Sequence, residues 1–205
     1  MHKEILIKKQ IELLPLIKLF KKDFYLVGGT AIGLQIGHRR SIDFDLFNTK
    51  KLRRKHLVNK IEKQGYTIDK IIYGDIDELT MRINSVKITF FNFPYRIIPD
   101  IDLEDIIEMP TLLDLSAMKV YALGFRSKWK DYVDMYFILR DHYPLNTIIT
   151  RTREIFGNAF NAKLLREQLC YFDDIDYREP VVYMGPGPTD REIKDFLCDA
   201  AVTPF

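Results

Sequence analysis

Long apolar runs are missing from this 205-residue chain. None approaches the ~20 residues that a membrane-spanning helix needs, so no membrane partner is expected. The first residues, MHKEILIKKQ, alternate charge with apolar side chains and lack the unbroken apolar core of a signal peptide. The expected location is therefore the cytoplasm. Cysteine is scarce: Cys170 and Cys198 stand far apart, form no metal-type spacing and are expected as free thiols. No internal repeat and no low-complexity segment occurs, which excludes a solenoid. A large excess of one charge is also missing, since 31 Lys and Arg meet 29 Asp and Glu for a formal net charge of +2. Any attraction for phosphate must then come from local basic patches. What is present is an ordinary apolar fraction of 47%, enough for a sizeable core. The length suits one domain, or one domain with a small appendage.

The chain is organised around FYLVGGTAIGLQIGHRRSIDFDLF, residues 24–47. It predicts a short apolar strand over 24–27, a Gly28-Gly29 turn and a helical segment over 30–36. A basic loop over 37–40 and a second strand carrying Asp43 and Asp45 follow. Side chains alternate along a strand, so Asp43, Asp45 and Phe47 share one face, and Ile42, Phe44 and Leu46 the other. Two carboxylates on one face repel unless a cation lies between them, and magnesium is the common hard cation in phosphate chemistry. Asp43 and Asp45 are the candidate metal ligands.

Spacing alone does not select this pair. The chain holds three more Asp-x-Asp pairs, Asp75/Asp77, Asp100/Asp102 and Asp174/Asp176. Each of those sits in turn-like or acidic surroundings and reads as exposed turn carboxylates. Only Asp43/Asp45 combines apolar strand neighbours with an upstream Gly-Gly turn.

Ahead of this stretch, residues 3–20 have a helical pattern that Pro15 should kink or break. Behind it, residues 50–64 read as an amphipathic helix ended by Gly65. Residues 66–73, 79–83 and 86–93 read as a three-strand meander. The expected sheet is mixed, with about five strands. Residues 103–109 are ambiguous between helix and loop. Thr111 and Asp114 have capping-box spacing ahead of a helix to about 123. Further helices are predicted over 129–141, 146–156, 162–172 and 191–201, the last opened by Thr189 with Glu192.

Other candidates follow from chemistry. Gly28, Gly29 and Thr30 join a strand to a helix N-terminus, which suits phosphate, although Gly-Gly turns also arise for steric reasons. Ser41 shares the face of Asp43. His38, Arg39 and Arg40 offer charge or a structural role. Lys119 stands in mostly apolar company and must snorkel or pair with a carboxylate or phosphate. Asp131 and Asp134 share one helix face, and Asp131 also suits a first helical turn. Basic residues cluster at Lys50, Lys51, Arg53, Arg54 and Lys55, and again at Arg126, Lys128 and Lys130. Both clusters can be solvated faces or phosphate contacts.

Together these residues resemble the nucleotidyltransferase toxins of the AbiEii/AbiGii type, part of the polymerase-β-like superfamily. The resemblance rests on Gly28-Gly29-Thr30, His38-Arg39-Arg40, Ser41-Ile42-Asp43-Phe44-Asp45, then Lys119 and Lys130-Asp131-Tyr132-Val133-Asp134. It implies an α+β fold. A nucleotidyltransferase-like core over 1–109 would carry the mixed sheet, and a helical subdomain over 110–205 would complete the active-site cleft. It implies an enzyme that transfers a nucleotidyl group from a nucleoside triphosphate to an acceptor hydroxyl. The acceptor would be RNA, at the tRNA 3′ end, with the chain as the toxin partner of an antitoxin. Asp43 and Asp45 would hold Mg2+; Gly28, Gly29, Thr30, Arg39, Arg40 and Ser41 would bind nucleotide. Lys119 would contact the triphosphate, and Asp131 or Asp134 would position the acceptor or the lysine. One departure stands out: the superfamily's third carboxylate is expected at Thr89. Two other readings stay open, a small-molecule nucleotidyltransferase and a non-catalytic nucleotide- or RNA-binding relative.

Overall fold

The computed structural model describes residues 1–203. It divides into two compact units, Met1–Thr111 and Leu112–Phe205.

In the first unit five strands form one mixed sheet in the order β1-β2-β5-β4-β3. They are β1 (Tyr25–Val27), β2 (Phe44–Asn48), β3 (Ile68–Gly74), β4 (Glu78–Ile83) and β5 (Val86–Asn92). β2 and β5 run parallel and the other neighbours antiparallel. The expected meander is β3-β4-β5, and its last strand lies beside the strand carrying Asp45. Three helices accompany the sheet: α1 (Lys8–Lys18), α2 (Gly28–Ile36) and α3 (Arg54–Lys63). One sheet face supplies the core. Phe44, Leu46 and Phe90 are fully buried, and the Phe20 ring meets Phe90 edge-on at 4.9 Å.

Several boundaries differ from the sequence reading for local reasons. Pro15 lies inside α1, and the turn Lys3–Ile5 ahead of it is a separate 3-10 element. α3 starts at Arg54, so the basic residues 50–53 lie in the segment leading to it. Residues 103–109 do not form a helix; Ile101–Asp102 (β6) pairs with Glu108–Met109 (β7) in a two-stranded ribbon. The ribbon's turn passes through Glu104 and Asp105, both with positive φ.

β3 ends the sheet as an edge strand, mostly exposed on both faces, with Ile71 and Ile72 about half accessible. Its pairing with β4 is interrupted by two register shifts.

The second unit is largely helical: α4 (Leu112–Leu123), α5 (Trp129–Asp141), α6 (Leu145–Phe156), α7 (Ala162–Leu169) and α8 (Asp190–Val202). The predicted capping box at Thr189 and Glu192 opens α8. Asp114, read as a helix-start carboxylate, lies in the first turn of α4 and is also paired with Arg151 of α6. No described helix is long and apolar enough to cross a membrane.

The β4–β5 turn offers a test. Asn84 and Ser85 both have positive φ, at 51° and 65°. A two-residue hairpin turn of this kind prefers Asn-Gly, and a side chain at the second position costs roughly 1 kcal/mol. Ser85→Gly should therefore raise unfolding free energy by about 1 kcal/mol, measured by urea denaturation.

Candidate active site

In the first unit the two aspartates come together as the alternation rule requires, with two corrections. β2 begins at Phe44, so Asp45 lies within the strand and Asp43 just before it. Ile42 does not anchor the apolar face; it is 50% exposed, and that face is filled by Phe44 and Leu46 with Asn48 buried beyond them. Asp43, Asp45 and Phe47 are half-buried on the opposite face.

Asp45 is the register partner of Val27 on β1 and of Thr89 on β5. Thr89 thus stands beside Asp45, where the sequence placed the vacant carboxylate position. Thr89 is linked by hydroxyl contact to Thr80 of β4 at 3.2 Å, and Thr80 donates to Glu78 at 2.6 Å. One step back along β5, the Lys87 amine lies 2.7 Å from Asp43 Oδ2. Lysine therefore supplies a cation to the pair. The alternation of β5 already put Lys87 on this face, but nothing in the sequence singled it out.

The glycines explain how the strand end and the loop can crowd together. Gly28 has φ +74°, a left-handed backbone that glycine adopts freely, and a Cβ there would run into the Asp45 carboxylate. A Cβ on Gly29 would stand 2.7 Å from Arg39 Nη2 and 3.1 Å from Ser41 Oγ. Asp45 consequently lies against the N-terminal end of α2, where a carboxylate is favoured. Thr30 is buried and its hydroxyl donates to the carbonyl of Asp43, with a longer approach of 3.5 Å to that of Ser41. It therefore anchors the segment that presents the aspartates.

The basic loop is more enclosed than a surface loop. His38 is buried, and Arg39 is only 2% exposed, with Nη1 donating to the Arg40 carbonyl at 3.0 Å. Arg40 is half-buried and reaches the carbonyl of Ile5 at 3.4 Å. Both arginines shape the loop, and Arg39 places its charge beside Gly29.

In the second unit Lys119 on α4 is 5% exposed. Its amine lies 2.6 Å from Asp131 Oδ1 and 2.8 Å from Asp134 Oδ2, both on α5. Arg126 adds a second cation at 2.8 Å from Asp131 Oδ2. Burial pushes the Asp131 carboxyl up, but the charges of Lys119 and Arg126 outweigh it and hold the group below its ordinary range. Of the two options for Lys119, snorkelling or pairing, the structure has pairing with carboxylates. Lys128 and Lys130 are likewise engaged, both by Glu179 at 2.8 and 3.1 Å. The second basic cluster is thus largely neutralised.

The other Asp-x-Asp pairs have structural work. Asp75 accepts from the amides of Asp77 and Glu78 and from the Tyr73 hydroxyl. Asp102 accepts from the Asp105 amide, and Asp176 pairs with Arg178.

Among the described residues no group of three or more His, Cys, Asp and Glu is placed to hold a metal ion. The donor set at Asp43 and Asp45 nevertheless fits magnesium. That ion commonly takes one or two protein carboxylates and completes its shell with substrate phosphates and water.

The model of the family described as the nucleotidyl transferase AbiEii toxin of type IV toxin–antitoxin systems matches residues 16–197. The chain belongs to this family. An uncharacterised protein of Aquifex aeolicus is similar as well, at 29% identity over 180 residues covering 85% of this chain and 84% of its own. Among solved structures, the AbiEii-family chain resembles MenT4, a nucleotidyltransferase toxin of Mycobacterium tuberculosis. That similarity has TM-score 0.60 and 11% identity over 95% of this chain and 82% of that one. JHP933 of Helicobacter pylori is similar with TM-score 0.55 and 15% identity, covering 96% and 91%. At these identities the structural likeness speaks to the fold.

The buried trio yields a prediction with a pH signature. Lys119→Met leaves Asp134, which is fully buried, without the lysine and should cost about 3 kcal/mol at neutral pH. A carboxylate whose folded pKa is depressed contributes stability above its unfolded value, near 4, that is lost as pH falls through the folded pKa. Asp131 is such a group. The gap in melting temperature between parent and variant should therefore be widest near neutrality and narrow below about pH 4. Thermal melts across that range measure it; a gap independent of pH would contradict the charge assignment.

Proposed function

We propose that this protein is a magnesium-dependent nucleotidyltransferase of the cytoplasm. It moves a nucleotidyl group from a nucleoside triphosphate to an acceptor hydroxyl on RNA, at the tRNA 3′ end, as the toxin of a toxin–antitoxin pair. The observation that carries the reading is the Asp43/Asp45 pair on one face, with Asp45 pressed against a left-handed glycine at the start of α2. Family membership over most of the chain supports it.

In this reading Asp43 and Asp45 hold the metal, which when bound would neutralise triphosphate charge and stabilise the departing pyrophosphate. The amides of Gly28 and Gly29 face the phosphates, and Ser41 donates its hydroxyl to a phosphate oxygen. Thr30 keeps the segment from Ser41 to Asp43 in place. Arg39 lends positive charge from behind Gly29, and Arg40 from the loop rim. Asp131 and Asp134 hold the amine of Lys119, the group that the family resemblance assigns to the triphosphate. The acceptor hydroxyl oxygen bonds to the α-phosphorus as the bond to the bridging oxygen breaks; pyrophosphate leaves and the hydroxyl proton passes to solvent water. Such transfer depends chiefly on positioning and charge stabilisation, so a reduced carboxylate set is compatible with activity. Lys87, held to Asp43, supplies a fixed positive charge in that set.

Thr89 beside Asp45 favours a second reading, a relative that binds nucleotide or RNA without turnover. Incubation with labelled nucleoside triphosphates, magnesium and total RNA separates the two. Label on RNA of tRNA size supports the enzyme, and Asp43→Asn and Asp45→Asn should each reduce it roughly 100-fold or more while the protein stays folded. Label on nothing, with nucleotide still raising the melting temperature, supports the binding-only relative.

Thr89→Asp tests the vacant position. A third carboxylate should raise metal affinity and destabilise the metal-free protein by like-charge repulsion. Magnesium should then raise the melting temperature more in the variant than in the parent. An equal shift in both would remove Thr89 from the ligand position.

A further inference from the structure

The first unit holds a cavity of about 560 Å3 away from the aspartates, between the segment that follows β2 and helix α3. Its floor is apolar, formed by Phe20, Phe24 and Leu57. Its walls are Lys50, Lys51, Arg53, His56 and Lys60, and Asp23 is the single acid among its lining residues. Asn48, the last residue of β2, also lines it. Asn48 lies three positions beyond Asp45, about 10 Å along the strand.

This basic cluster differs from the others in the molecule. Lys18 and Lys21 are bound by Asp105, Lys128 and Lys130 by Glu179, Arg151 by Asp114 and Glu154, and Arg178 by Asp176. For Lys50, Lys51, Arg53, His56 and Lys60, no carboxylate stands within ion-pairing distance among the described residues. Lys60 is spent on the Leu19 carbonyl at 2.7 Å and lies over the Phe20 ring at 4.8 Å, so its charge is fixed in place. Lys50, Lys51 and Arg53 are exposed. Like charges gathered in a concavity repel one another, and an anion relieves that repulsion.

From this we infer that the cavity is a binding site for the sugar-phosphate backbone of RNA, separate from the aspartate pair. The inference rests on the RNA acceptor of the proposed function and assigns part of its binding energy to this site. Lys50, Lys51 and Arg53 follow one another along the segment leading into α3. His56 and Lys60 continue the row along successive turns of the helix, which rises about 5.4 Å per turn. A row of this kind can track successive phosphates of one strand. The aromatic floor is buried, so bases find no exposed ring to stack on. Recognition is therefore of phosphate charge and independent of sequence.

The test uses the full chain and a short fluorescein-labelled single-stranded RNA, with anisotropy read over a series of salt concentrations. The triple variant Lys50→Gln, Lys51→Gln, Arg53→Gln changes exposed side chains only. It should bind the RNA at least tenfold more weakly at low salt. It should also lower the slope of log affinity against log salt by about 2, since each phosphate neutralised on a single strand adds ~0.7 to that slope. A control with the same change in net charge, Lys163→Gln, Arg178→Gln, Arg191→Gln, should leave the slope near that of the parent. The rise in melting temperature with nucleoside triphosphate and magnesium reads the aspartate site and should be the same in parent and triple variant. Equal RNA binding by parent and triple variant would overturn the inference while leaving the proposed function standing. So would an equal weakening in the control. Displacement of RNA by polyglutamate at comparable charge concentration would also overturn it, and would indicate an acidic protein partner. Absence of transfer by the parent, with RNA binding abolished only in the triple variant, would sink the proposed function and leave this site in place.

Discussion

Everything at the candidate site depends on holding two carboxylates together on one open sheet face. Asp43 and Asp45 repel, and the fold answers with three local arrangements. Lys87 gives Asp43 a cation at 2.7 Å. The left-handed backbone of Gly28 leaves room for the Asp45 carboxylate at the favourable end of α2. Thr30 ties down the carbonyl of Asp43. The opposite face of the same strand carries the fully buried Phe44 and Leu46, so a shift of one residue would turn the charges toward the core. Register and charge placement are thus one constraint.

The second unit solves a related problem by different means. Lys119, Asp131 and Asp134 are buried together, where separation from water makes each charge costly alone. The lysine amine serves both carboxylates at once, at 2.6 and 2.8 Å. Arg126 adds its charge from a more exposed position, with its side chain 50% accessible. This exposed fourth member gives Asp131 a contact that solvent weakens, and its charge helps Lys119 hold that carboxyl in the ionised form.

Much of this arrangement was legible in the sequence. The Gly-Gly turn and period-two alternation placed Asp45 and Thr89 on one face, and the β3-β4-β5 meander followed from the turn residues at 74–78 and 84–85. The apolar company of Lys119 required a partner, and Asp131 and Asp134 were at hand. Other features were not legible. Enclosure of Arg39 depends on Gly29 lying next to it, a contact between residues ten apart whose geometry no local rule supplies. The ribbon of β6 and β7 consists of two-residue strands, too short for any periodic signal. Residues 50–53 carried the charge pattern of a helix face but precede the helix. The basic residue that matters most at the aspartates, Lys87, gave no signal because a single lysine in a strand carries no pattern.

The edge strand β3 has a consequence of another kind. A strand exposed on both faces, with Ile71 and Ile72 half uncovered, offers its unpaired backbone groups to any passing strand. Its two register shifts work against that. They break the ladder into short stretches and bend the strand, so a second chain cannot align along its length. The irregularity thereby limits growth of the sheet beyond five strands. Straightening β3 by deleting a bulged residue would make the protein a template for its own copies, with solubility falling as concentration rises.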